Sequence, residues 1–150
     1  MLDPALLPRV TVAAIVPEGT RYLLVEERIG GRPVLNQPAG HVDPGEGVLA
    51  AVVRETLEET GWQVEPEAVL GIHQLVLPQV HYVRIAILCR PLGHDHARPL
   101  DAEIIRPHWL TREEIATHAV PCRSPLVLRC IDEHRAGRRF PLDLIAAPIR

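Results

Sequence analysis

The chain has 150 residues, of which 47% are hydrophobic, and a formal net charge of -3. That is enough apolar material for one buried core, read as a single domain over residues 1–150, and too little net charge for a protein that coats nucleic acid or a membrane. All 16 basic residues are arginine, which excludes P-loop, Schiff-base and general-base lysine chemistry.

No apolar run approaches the roughly 20 residues needed to cross a bilayer, and MLDPALLPRV lacks the basic and apolar regions of a secretory leader. The expectation is a cytoplasmic protein with a small-molecule partner, either a monomer or a small homo-oligomer. Cys89, Cys122 and Cys130 show no metal-ligand spacing and read as buried thiols.

In chain order, VTVAAIV, closed by Pro17, and RYLLVEERI (21–29) are β-rich runs around the turn residues Pro17 to Thr20, a pattern that predicts a hairpin. Gly30 and Gly31 form the next turn, and VLNQPAGHV is a further extended segment interrupted by Pro38 and Gly40. A long helix follows. Asp43, Pro44 and Glu46 stand as N-cap, first-turn proline and capping-box glutamate, and Gly61 is the stop, so the helix is expected over residues 44–60. AVLGIHQLV and HYVRIAILCR read as two more strands, and residues 103–110 as a short one. Thr111 with Glu114 signals a capping box for a short helix, and PLVLRCIDEHRAG (125–137) reads as a last helix ending at Gly137. Strands mixed with helices around one central helix predict an α/β (α+β) sandwich with a mixed sheet.

On that central helix, Leu49, Val53 and Leu57 are expected to share the core face, with Glu55, Glu58 and Glu59 opposite. Like charges three and four residues apart destabilise an exposed helix by a few tenths of a kcal/mol each. A bound divalent ion reverses that sign, and clustered carboxylates favour Mg2+ or Mn2+, which is commonly shared with substrate phosphates. A solvated glutamate-rich face is the competing account of the local run, and the longer spacing decides against it.

From Gly40 the order is glycine, five residues, glutamate, seven residues, Arg-Glu, two residues, Glu-Glu, one residue and glycine, filled by Gly40, Glu46, Arg54, Glu55, Glu58, Glu59 and Gly61. This resembles the Nudix box. One position departs from it: Thr56 stands where the family usually has a bulky aliphatic residue, and its methyl group can still pack. The flanking NQPAGH, VTVAAIV, RSPLV and RRFPLDLI resemble one bacterial phosphatase branch of the family.

The resemblance implies the Nudix α/β/α sandwich and Mg2+-dependent hydrolysis of a nucleotide or pyrophosphate substrate. The phosphatase branch implies release of orthophosphate from nucleoside tri- and diphosphates, and action on thiamine pyrophosphate and its hydroxymethylpyrimidine pyrophosphate precursor. Within the superfamily the alternatives are a pool-sanitising pyrophosphohydrolase or an ADP-ribose hydrolase; the non-enzyme alternative is a nucleotide sensor. Glu55 and Glu59 are the first choice of metal ligands, with Glu58 a further one and the Gly40 carbonyl completing the set. Arg54 is expected to orient a glutamate. The general base is assigned to Glu103, with Glu58 as the alternative. Gln37, Tyr82 and Arg84 are the candidate substrate contacts. The histidines, and the arginines 135, 138 and 139, read as ordinary surface or loop residues, and Trp62 and Trp109 as core.

Overall fold

The computed structural model describes residues 3–150. It contains eight strands, β1 (Arg9–Ile15), β2 (Pro17–Glu18), β3 (Arg21–Ile29), β4 (Arg32–Asn36), β5 (Ala39–His41), β6 (Trp62–Leu77), β7 (Val80–His94) and β8 (Ile104–Thr111). The helices are α1 (Val48–Thr60), α2 (Arg112–Ala116) and α3 (Leu126–Arg135). They form two sheets. One is mixed, in the order β5-β1-β7-β6, with β1 parallel to β7 and antiparallel to β5; in the other, β3 pairs with β2, β4 and β8.

Successive strand residues point to opposite faces, and here both faces are covered. Val12, Ala14, Leu23 and Ile87 join the core beneath α1, whereas Ile15, Leu24, Ala86 and Leu88 join the core beneath α3. An α/β/α sandwich results. Trp62 and Trp109 meet edge to face, 5.4 Å apart, at the margin of the α1 core. Cys89 and Cys130 are buried thiols as expected, while Cys122 is only half-buried.

Two sequence expectations change. The first hairpin shrinks to Pro17 and Glu18 against Tyr22 and Arg21, and β1 crosses into the other sheet. Residues 12–16 are all but inaccessible, so this run takes an interior place between β5 and β7. The central helix starts at Val48 rather than residue 44. Pro44 and Gly45 are the two central residues of a turn closed by the Glu46 amide donating to the Asp43 carbonyl at 3.0 Å, and Gly45 takes φ +78°. Proline followed by a glycine of positive φ is the type II turn signature, and it precludes a helical start there.

Strands β6 and β7 also run longer than expected, from Trp62 and on to His94, and the extended segment 34–42 splits into β4 and β5 of different sheets, while the other boundaries hold within a residue or two. Gly30 and Gly31 both have positive φ and make the tight β3–β4 turn. Thr111 and Glu114 form both halves of the capping box, and α3 stops before Gly137, whose φ is +83°.

Candidate active site

Helix α1 buries Ala51, Val52, Thr56, Glu59 and Thr60, not the expected stripe. Leu49 and Val53 pack only partly, and Leu57 turns towards the segment Gly93 to Arg98. Small side chains at 51 and 52 let the helix sit close to the sheet, and the helix rotates accordingly. The rotation carries Glu59 into the interior. There its Oε1 accepts from the Ala39 amide at 2.8 Å, and burial pushes its carboxyl up to about 9. Burial also raises the Glu55 carboxyl. Thr56 is fully buried, its hydroxyl donating to the Val52 carbonyl at 2.7 Å, so the residue that departs from the family pattern leaves no polar atom unpaired.

Arg54 gathers the box. Its Nε and Nη2 donate to the two carboxylate oxygens of Glu46 at 2.7 and 2.8 Å, and Nη1 donates to Glu55 and Glu58 at 3.0 and 3.1 Å. The Arg54 guanidinium beside Glu46 holds that carboxyl down at about 2. Glu46 therefore serves as the far anchor of Arg54 besides accepting from the Asp43 amide. Gly40 on β5 faces the same cluster, and a Cβ placed there would overlap the Glu55 carboxylate. Any side chain there would push the Glu55 carboxylate out of its place.

One member escaped the sequence reading. Carboxylate oxygens of Glu55, Glu58 and Asp101 lie within 4.8 Å of one another. Asp101 reaches them because the segment after β7 answers the free carbonyls at the end of α1. The Asp101 amide donates to Glu58 O at 3.1 Å and the Asp95 amide to Gly61 O at 2.9 Å, while His94 Nε2 lies 3.0 Å from Thr60 O. Gly61, at φ +76°, closes the helix. In the sequence only the acidic run DAE marks this stretch, and its glutamate is the more conspicuous of the two carboxylates.

These groups border a cleft of about 750 Å³ that Glu55, Glu59, Gly40, Asp101 and Glu103 all line. Tyr82 and Arg84 line it too. Gln37 does not: it is fully buried, donating to Val127 O at 2.8 Å and accepting from Arg84 Nη2 at 3.1 Å, so it holds Arg84 rather than the cleft contents. Burial presses the Arg84 guanidinium below its usual range. Arg135 and Arg138 are engaged elsewhere, with Glu113 and with the Leu70 carbonyl. His73 pairs with Glu133 at 2.7 Å.

The model of the NUDIX domain family matches residues 6–130. The chain belongs to the Nudix family. Phosphatase NudJ of Escherichia coli K12 is 36% identical over 139 residues, which cover 92% of this chain and 90% of that protein. A Nudix hydrolase of Nitrosomonas europaea is 42% identical with a TM-score of 0.88, over 93% of this chain and 96% of that one. A MutT Nudix hydrolase of Burkholderia pseudomallei shares the fold at 22% identity and a TM-score of 0.72, over 85% and 98% of the two chains. This Nudix protein is accordingly a hydrolase with the mixed α+β sandwich of the family. Among the described residues no helix is long and apolar enough to cross a membrane.

Nudix enzymes use divalent metals, and the donor set here fits one. Hard carboxylate oxygens converge from two segments, two of the box glutamates are buried against their own charge, and glycine keeps the approach at Gly40 open. A cation in that place lifts the electrostatic penalty that burial imposes on Glu55 and Glu59.

Proposed function

We propose that this Nudix hydrolase is a magnesium-dependent phosphohydrolase that releases orthophosphate from nucleoside tri- and diphosphates, with thiamine and hydroxymethylpyrimidine pyrophosphates as further substrates. Mn2+ is an acceptable substitute for Mg2+. The observation that carries the reading is the acidic cluster of Glu55, Glu58 and Asp101 at a cleft large enough for a nucleotide. The likeness to phosphatase NudJ supports the choice of product.

Glu55, Glu58 and Asp101 hold the metal, with Glu59 and the Gly40 carbonyl beside them. When bound, the ion supplies neutralisation of phosphate charge and a more acidic water. Arg54 fixes Glu55 and Glu58 through its paired bonds, so the carboxylates are placed before substrate arrives. Glu103, exposed in the cleft wall, takes the proton of the attacking water at a carboxylate oxygen. The protein acts in the cytoplasm on small molecules rather than on nucleic acid.

Phosphorus NMR of products tests this. In separate incubations with magnesium, a nucleoside triphosphate, a nucleoside diphosphate and thiamine pyrophosphate are each expected to yield orthophosphate, and ADP-ribose in a fourth tube is expected to stay uncleaved. Pyrophosphate from the triphosphate alone would replace this reading with a pool-sanitising one, and adenosine monophosphate from ADP-ribose alone with an ADP-ribose hydrolase. No turnover on any of them would leave a nucleotide sensor.

A further inference from the structure

Arg84 is 5% exposed and carries its charge without a carboxylate hydrogen-bonded to it. Its Nη2 donates to two neutral oxygens, Asn36 Oδ1 at 3.2 Å and Gln37 Oε1 at 3.1 Å. A guanidinium has five N–H groups. Those on Nε and Nη1 make no protein hydrogen bond among the described residues. They are not sealed off either, since the only buried side-chain polar atom without a partner among those residues is His81 Nε2. Arg84 lines the cleft, so the unmatched donors open onto it. A buried, unpaired charge is costly unless something answers it.

The surroundings say what answers it. Arg84 sits in register between Thr11 of β1 and His73 of β6, on the sheet face that α3 covers. Ser124, Pro125 and Leu126 bring the start of α3 to the same cleft, where the helix dipole favours negative charge. Ser124 Oγ accepts from the Leu126 amide at 3.2 Å. Arg123 lines the cleft as well, with Glu27 already 3.2 Å away, which leaves Arg84 as the uncommitted cation. Behind Arg84 lie Gln37, Val127 and Cys130, all buried to 1% exposure or less. None of these three lines the cleft, so on this side it ends at Arg84. Besides the acidic wall, the cleft has an apolar lining supplied by Ile29, Leu75, Leu77 and Ile104, together with Tyr82.

We infer that Arg84 is a specificity-determining residue that receives the free terminal phosphoryl group of the substrate, with the organic part directed outwards between the apolar walls. The inference rests on the phosphohydrolase reading above and deepens it. An anion at a closed floor must be the end of its molecule, because a phosphate carrying a second substituent has nowhere to put it. The free Nη1 and Nε donors can reach phosphate oxygens while Nη2 stays on Asn36 and Gln37, a division of labour that the single point charge of a lysine ammonium does not reproduce.

The test compares a nucleoside triphosphate with its γ-methyl ester, on the full-length wild-type protein and on Arg84→Lys, with magnesium. Wild type is expected to favour the free terminus by at least about tenfold in kcat/KM. Arg84→Lys is expected to raise KM for the free triphosphate by about tenfold or more and to narrow the ratio between the two substrates towards one. Equal use of both substrates by wild type, or an unchanged ratio in folded Arg84→Lys, overturns the inference. Phosphorus line broadening of inorganic phosphate is the second readout, expected with wild type and lost in Arg123→Gln/Arg84→Lys and in Arg84→Lys alone. It separates the two claims: no hydrolysis with Arg84-dependent phosphate broadening defeats the phosphohydrolase reading and upholds the subsite, whereas hydrolysis without broadening by wild type overturns the subsite. If Arg84→Lys fails to fold, the wild-type comparison of the two substrates alone decides.

Discussion

Replacing Glu59 with glutamine is expected to stabilise the metal-free protein, by an amount that grows with pH. Burial lifts the Glu59 carboxyl from 4.5 to about 9. The folded chain therefore holds a proton there that the unfolded chain has released between those values, and stability falls as pH rises through that window. Each pH unit is worth about 1.4 kcal/mol. The difference between Glu59→Gln and wild type should thus be under about 1 kcal/mol at pH 5 and about 3 kcal/mol at pH 7. Glutamine keeps an oxygen for the Ala39 amide, so the comparison isolates the charge. Urea unfolding in a chelator at both pH values measures the two differences, and subtraction removes every other titrating group. Adding magnesium should stabilise wild type and help the variant far less, because wild type alone gains a counter-charge. A difference that stays flat between pH 5 and pH 7 would refute the account of Glu59 as a carboxylate buried against its own charge.

Three further outcomes follow from the same geometry. Arg54→Ala removes the fork that joins Glu46 to Glu55 and Glu58, so urea unfolding should show a loss of about 1–3 kcal/mol. In that variant the Glu46 carboxyl should titrate well above about 2 by carbon NMR; only wild type should carry a Glu46 contribution that is complete above pH 4.5 and declines progressively as pH falls from 4.5 to about 2. Gly40→Ala should leave the melting temperature within a few degrees, because the flexible end of Glu55 can move aside, while turnover drops by about a hundredfold in a steady-state assay. Thr56→Val exchanges a hydroxyl already satisfied within the helix for a methyl group, and should shift stability by less than about 1 kcal/mol in thermal unfolding with turnover unchanged.

The box was legible because its chemistry is local. Two turns of one helix carry four of its seven residues, and Gly40 and Glu46 are tied to that helix through Glu55 and Arg54. The start of α1 misled because Asp-Pro-x-Glu satisfies two local rules at once, a capped helix and a type II turn, and only the positive φ of Gly45 separates them. Asp101 was out of reach for a different reason. It joins the cluster only after β6 and β7 have run out and back and the next segment has met the end of α1, a tertiary event with no periodic trace. The rotation of α1 was equally hidden, since Leu49, Val53 and Leu57 form the more hydrophobic stripe and close packing preferred Ala51 and Val52. Gln37 lies in the expected neighbourhood, where burial sets it behind a cleft residue rather than in the cleft wall.

The apolar walls of the cleft have a bearing on how such a protein diversifies. Ile29 ends β3 before a glycine turn, Leu75 and Leu77 lie at the far end of the β6–β7 hairpin, and Ile104 opens β8. None of them shares a side-chain hydrogen bond with α1 or with the Arg54 network. Drift at these positions can reshape the space offered to the organic half of a substrate while the carboxylates keep their places. A lineage carrying this arrangement is free to change its diet one rim residue at a time, and its descendants should differ in what they recognise long before they differ in the bond they break.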